Sequence, residues 1–202
     1  MLDRILLTTT QQPQLRLAKQ LIIWGWTANQ VTLLGFLIGL TALPLLAFEQ
    51  YYFALGVILL NRLLDGLDGT IARLTRISDR GGFLDIVLDF LFYSTIPLGF
   101  ALANPSENAL AAAVLIYSFV GTGSSFLAFA IFAAKRQLSS PVYPHKSFYY
   151  LGGLTEATET ILVFVLMCLF PTWFSVFAYG FASLCLLSTV LRIYTAWKNF
   201  VD

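Results

Sequence analysis

Long apolar runs alternate with short polar or proline-containing breaks along most of the chain. Crossing the hydrocarbon core of a bilayer takes about twenty residues of helix, and six runs meet that length: residues 31–48, 52–72, 83–103, 109–134, 154–170 and 173–197. Asn29 marks a helix start before the first run, and Asn104, Pro105 and Ser106 mark one before the fourth; Pro171 and Thr172 separate the last two. Ahead of them, residues 13–26 are expected to form a short amphipathic helix on the membrane surface, with Arg16 and Lys19 towards phosphate headgroups. The expected fold is all-α. It is a polytopic membrane protein with six transmembrane helices preceded by that surface helix, a single domain over residues 1–202 with its spans in 31–197.

Composition agrees with a membrane protein: 58% of residues are hydrophobic and 11% charged, far outside the range of soluble domains. The net charge of +1 decides nothing by itself, but the placement of the basic residues does. Arg4, Arg16 and Lys19 precede the first run, Arg73, Arg76 and Arg80 lie between the second and third, Lys135, Arg136 and Lys146 between the fourth and fifth, and Lys198 follows the sixth. The alternate connections, at 49–51, 104–108 and 171–172, hold no Lys or Arg. The positive-inside rule then predicts that both termini and the connection after the second run are cytoplasmic. The N-terminal stretch lacks an apolar core followed by a small-residue cleavage site and is expected to be retained. Cys168 and Cys185, both in apolar runs, read as inert buried thiols.

Four carboxylates interrupt this picture. Asp65 and Asp68 are three apart and Asp85 and Asp89 four apart, spacings that put each pair on one face of a helix. The second run ends and the third begins at the same membrane side, so the two pairs can meet across a helical hairpin. Four carboxylates at a membrane need a counter-charge, and two divalent cations supply it most economically. Oxygen-only donors without a nearby Cys or His suit Mg²⁺ or Mn²⁺ rather than zinc. Gly69, Gly81 and Gly82 leave bare backbone for a bulky ligand, and Arg73, one turn beyond Gly69, can pair with a phosphate. Metals, a cation and glycine gaps together describe a diphosphate site. Arg62, three residues before Asp65, is expected to be its ion-pair partner.

These residues resemble the motif of the CDP-alcohol phosphatidyltransferases, D-x2-D-G-x2-A-R-x8-G-x3-D-x3-D. Asp65, Asp68, Gly69, Ala72, Arg73, Gly81, Asp85 and Asp89 supply every specified type, with one residue fewer than the motif between Arg73 and Gly81. The resemblance implies transfer of the phosphatidyl group of CDP-diacylglycerol to an alcohol hydroxyl, with release of CMP, at the cytoplasmic face of the inner (plasma) membrane. By the same resemblance, Asp65, Asp68, Asp85 and Asp89 hold two divalent cations, Mg²⁺ or Mn²⁺, and Asp89 also serves as the catalytic base. Gly69, Ala72, Arg73 and Gly81 would take the cytidine nucleotide and its phosphates. The implied partners are the CDP-lipid, the acceptor, membrane lipids and a second copy of the chain in a homodimer, with no nucleic acid.

The acceptor itself is not identified by the motif. Glu156 and Glu159 form another acidic pair near the start of the fifth run, and with Thr155 they are candidates for an acceptor pocket; Arg136 and Lys146 are candidate contacts for an acceptor phosphate. The small residues between Gly121 and Ala130 permit close helix approach, within the chain or at a dimer seam. A competing class is a transporter in which the same carboxylates relay protons or divalent cations.

Overall fold

The computed structural model describes residues 2–136 and 155–200, with side chains from residue 12 onward. All regular structure among them is helical. In chain order the helices are α1 (Leu2–Ile23), α2 (Ala28–Leu40), α3 (Ala42–Ala47), α4 (Tyr51–Leu74), α5 (Asp79–Ala103), α6 (Pro105–Lys135), α7 (Ala157–Leu169) and, after a single 3-10 turn at Pro171–Trp173, α8 (Phe174–Asn199).

Four stretches are long and apolar enough to cross a membrane: Ala28–Ala47, Asp79–Ala103, Pro105–Lys135 and Pro171–Asn199. Helix α4, at 24 residues, has the length, about 36 Å at 1.5 Å per residue, but Arg62, Asp65, Asp68 and Arg73 lie within it. Helix α7 is apolar but has only 13 residues. The outer faces are apolar, as a lipid environment requires: Leu110, Tyr117 and Val120 of α6 and Ile193, Tyr194 and Trp197 of α8 are exposed.

Two expectations about boundaries change. The N-terminal helix starts at Leu2, well before Pro13, and runs through that proline. It stops at Gly25, whose φ of 82° is the left-handed conformation that ends helices, with the Trp26 N–H closing back on the Leu21 carbonyl at 3.0 Å. The first expected span is divided at Thr41 into α2 and α3. Pro44 is the cause: it has no N–H to give the Leu40 carbonyl, so the helical ladder loses a rung where the axis turns.

The main core begins beside the aspartates at Phe92 and continues along the bundle. Phe92, Phe100, Phe164 and Phe174 are fully buried there, and Phe100 stacks on Phe174 with ring centroids 4.5 Å apart. Leu46 of α3 packs where Gly99 of α5 gives way; a Cβ on Gly99 would come within 2.7 Å of it. The small-residue segment of α6 is used inside the chain. Gly121 faces Thr189 of α8, and Gly123 admits the Phe90 ring of α5. A smaller cluster, Ala18, Val31, Leu67 and Ile71, docks α1 against α2 and α4.

Candidate active site

Helices α4 and α5 are joined by the short connection 75–78, so the C-terminal half of one and the N-terminal half of the other face each other across a cleft. Ser78 caps α5, its Oγ accepting from the Gly81 N–H at 3.1 Å. From that start Asp85 and Asp89 fall on the face turned to Asp65 and Asp68. Carboxylate oxygens of Asp65, Asp68 and Asp85 lie within 4.8 Å of one another. This oxygen-only donor set fits Mg²⁺ or Mn²⁺ and offers nothing to a metal that prefers nitrogen or sulfur. Asp68 is buried at 4% exposure and accepts a short hydrogen bond from the Thr32 hydroxyl of α2. A cleft with open room of about 10 Å³ runs between these carboxylates, Asp89 and the α2 backbone at Gly35.

Arg62 supplies positive charge within the group. It pairs with Asp65 of its own helix at 3.5 Å, as its spacing predicts, and more closely with Asp89 across the hairpin at 2.7 Å. Asn61 orients it, accepting from Nε at 2.9 Å and from Nη2 at 2.6 Å, while its own amide donates to the Gly35 carbonyl at 2.9 Å. That last contact depends on close backbone approach. A Cβ on Gly39, one turn along α2, would stand 2.8 Å from the Asn61 amide and 2.7 Å from the Phe92 ring.

The residues expected to take the nucleotide line the same helix ends. Arg73 folds back over Gly69, where a Cβ would be 3.3 Å from its guanidinium, and donates to the Thr70 hydroxyl at 3.0 Å. Ala72, the next residue before Arg73 on α4, is half-buried. Gly81 faces Asn29 of α2, and a Cβ there would come within 3.0 Å of the amide oxygen.

A second cavity, about 190 Å³, opens on the other side of Asp89. Thr155, Glu156 and Thr160 line one wall and Tyr93, Thr122 and Arg192 another. Of the five residues suggested for an acceptor pocket, Thr155 and Glu156 line this space. Glu159 instead accepts from the Glu156 N–H at 3.2 Å, tying down the first turn of α7. Arg136 lies at the end of α6 with its guanidinium 5.3 Å from the Phe200 ring, and Lys146 is outside the described residues. Arg192 is one residue that sequence reasoning missed. It is 6% exposed in the last third of α8 and donates to the Thr122 carbonyl at 2.8 Å and the Ser125 hydroxyl at 3.0 Å. Its signal was available, since a single cation inside an apolar span is seldom idle. Thr32, Gly35 and Asn61 escaped notice because their part is visible only once α2 is packed on α4.

A carboxylate cluster suited to hard metals, in a chain with helices long and apolar enough to cross a membrane and a second cavity beside one of its aspartates, has the parts of a metal-dependent membrane enzyme. Comparison with known proteins makes this specific: the chain belongs to the CDP-alcohol phosphatidyltransferase family, whose model matches residues 25–196. The inner membrane protein YnjF of Escherichia coli is 60% identical over 173 residues, covering 86% of this chain and 84% of that one. The archaetidylinositol phosphate synthase of Pyrococcus horikoshii is 30% identical over 190 residues, 94% and 93% of the two chains. Among solved structures, the phosphatidylinositol phosphate synthase PgsA1 of Mycobacterium tuberculosis with CDP-DAG bound superimposes with a TM-score of 0.75. It shares 20% identity, with 91% of this chain and 93% of that one covered. A second structure of PgsA1, in complex with manganese and citrate, gives a TM-score of 0.73 at 21% identity over 91% and 88% of the chains. At that identity the likeness is one of fold. The protein is thus a membrane phosphotransferase of phospholipid synthesis that uses divalent cations, and the transporter reading is set aside.

Proposed function

We propose that the chain transfers the phosphatidyl group of CDP-diacylglycerol to a hydroxyl of a polyol phosphate, releasing CMP. Family membership supports the donor, and the single observation behind the acceptor is the cavity of about 190 Å³ that shares Asp89 with the carboxylate cleft. Threonine hydroxyls and Glu156 suit a polyol, and the buried guanidinium of Arg192 suits an anionic end. The named product of the Pyrococcus relative is an inositol phosphate lipid, which agrees with that class.

On this reading Asp65, Asp68 and Asp85 hold the two cations and Asp89, at the rim of the same group, takes the acceptor proton. The cations, when bound, neutralise the diphosphate and stabilise the oxygens of an in-line displacement. Arg73 pairs with the donor phosphates, and Gly69, Ala72 and Gly81 leave room for the nucleotide; the short side chains and the folded-back guanidinium support this. The single domain is read as six spans, with α4 and α7 joining the four longer stretches, and with both termini and the site on the cytoplasmic side of the inner membrane. The basic residues Arg73, Arg76, Arg80, Lys135 and Arg136, set against alternate connections that hold none, and the inner-membrane relative support that orientation. Assembly as a homodimer is carried from the family resemblance, and the mass of the detergent-solubilised protein tests it.

Purified enzyme with CDP-diacylglycerol and Mn²⁺ is expected to release CMP with inositol phosphate or glycerol phosphate and not with free inositol or serine. The lipid product is identified by mass spectrometry. Release only with unphosphorylated acceptors would overturn the acceptor assignment, and no release with any alcohol would overturn the donor.

A further inference from the structure

We infer that Glu156 is a specificity-determining residue: it fills the anion-attracting start of α7 at the wall of the second cavity, and so restricts the acceptor to one anionic group, held at the Arg192 end. This rests on the reading of that cavity as the acceptor pocket and narrows which phosphorylated acceptors enter it.

The first N–H groups of a helix, with the positive end of its dipole, form a ready place for a phosphate. Helix α7 starts at the wall of the second cavity, where Thr155, Glu156, Ala157 and Thr160 all line the open space. An acceptor phosphate could in principle be received there as well as at Arg192. The chain closes that option with its own carboxylates. Glu156 is the N-cap residue, in extended backbone with φ −98° and ψ −179°, and it forms a capping box with Glu159. The Glu159 carboxylate accepts from the Glu156 N–H at 3.2 Å, and the Thr160 hydroxyl turns back to donate to the Glu156 carbonyl at 2.9 Å. The start of α7 therefore carries acidic side chains of its own where a bound anion would sit.

The opposite charge comes from other elements. Among the described residues lining the cavity Arg192 is the only cation, and its Nη1 donates to the Thr122 carbonyl and the Ser125 hydroxyl of α6. The two ends belong to one frame, because the Thr155 hydroxyl donates at 3.3 Å to that of Ser188, one turn before Arg192 on α8. An acceptor with a phosphate at one end and hydroxyls at the other can present the first to Arg192 and the second to Glu156, since an ionised carboxylate accepts from hydroxyls and repels anions. A second phosphate brought to α7 would be set against a carboxylate that cannot swing away without uncapping the helix. Asp89, the other acid in the lining, adds to that repulsion.

Full-length enzyme in detergent, with CDP-diacylglycerol and Mn²⁺, tests this through CMP release with inositol phosphate against inositol bisphosphate and glycerol phosphate against glycerol bisphosphate, each of which keeps a free hydroxyl. Wild type is expected to prefer the monophosphate by more than about thirtyfold in kcat/KM. Glu156→Gln keeps the size of the side chain and removes its charge, so the preference should shrink about tenfold, with KM falling for the bisphosphate and rising for the monophosphate. KM for CDP-diacylglycerol should stay within about twofold, whereas a merely structural defect at α7 would move the acceptors together whatever their charge. An unchanged preference in Glu156→Gln would mean that size alone excludes the second phosphate and would overturn the inference, as would a wild type that uses both acceptors equally. Where Glu156→Gln does not fold, Glu156→Asn, which supplies a favoured N-cap residue, gives the same readout. Failure of the underlying reading looks different: no CMP would then be released with either monophosphate.

Discussion

Helix α5 is divided along its length between two jobs. Its first half presents Asp85 and Asp89 to a polar cleft, whereas its second half buries Phe92, Ile96 and Phe100 completely. In the first half Asp89 is held by a charge-assisted bond from Arg62, and across the cleft α2 gives a hydroxyl to Asp68 and a backbone carbonyl to Asn61 of α4. In the second half, aromatic stacking and close fit hold the bundle together. Within a membrane the gain on burial comes from packing rather than from escape from water, so the aromatic half secures the helices while the polar half is left to chemistry. Stability and activity should accordingly respond to different substitutions.

The largest separation is expected at Asp68. Asp68→Asn keeps an oxygen for Thr32 but loses a metal-binding charge, so CMP release should fall by about a thousandfold while the thermal melting curve, followed by circular dichroism, barely moves. A variant retaining a tenth of the activity would remove Asp68 from the cation site. Phe100→Ala is the converse experiment. Loss of its contacts with Phe174 and Tyr51 should cost about 3 kcal/mol of stability, read as a lowered melting temperature, with turnover per folded molecule within about threefold of wild type. A drop in turnover larger than the drop in folded fraction would show that the two halves are not separable. Gly39→Ala lies at their seam. The added methyl meets both the Phe92 ring and the Asn61 amide, so a loss of about 1–2 kcal/mol should accompany a severalfold fall in transfer. If only one of the two quantities moves, the seam belongs to a single region.

Much of this division was legible in the sequence. Charges inside apolar runs announce themselves, and helical periodicity alone faced Asp65 and Asp68 towards Asp85 and Asp89. The i, i+3 pair of Arg62 and Asp65 was equally plain. What could not be read was tertiary. The bond from Thr32 to Asp68 spans 36 positions, and nothing local to Gly35 or Gly39 tells which helix will press against them. The pairing of Arg62 with Asp89 is of the same kind, being closer than the local one yet set by how α4 and α5 lie together. Glu159 shows local and tertiary demands meeting at one residue. Its spacing from Glu156 suggested a shared pocket, but the unpaired N–H groups at a helix start compete for nearby carboxylates and claimed it. The break at Thr41 had its proline in view, but prolines are tolerated within transmembrane helices often enough that the residue alone does not decide.

The presence of Asp89 in the walls of two separate cavities has a kinetic meaning. On the proposed reading, donor and acceptor approach one carboxylate from opposite sides, and neither has to leave before the other binds. Initial-velocity lines at varied CDP-diacylglycerol and acceptor should then intersect rather than run parallel, and no phosphatidylated enzyme should accumulate when the acceptor is withheld. A single displacement of that kind inverts the configuration at phosphorus, so a donor chiral at the transferred phosphorus through a thiophosphate should give product of the opposite configuration.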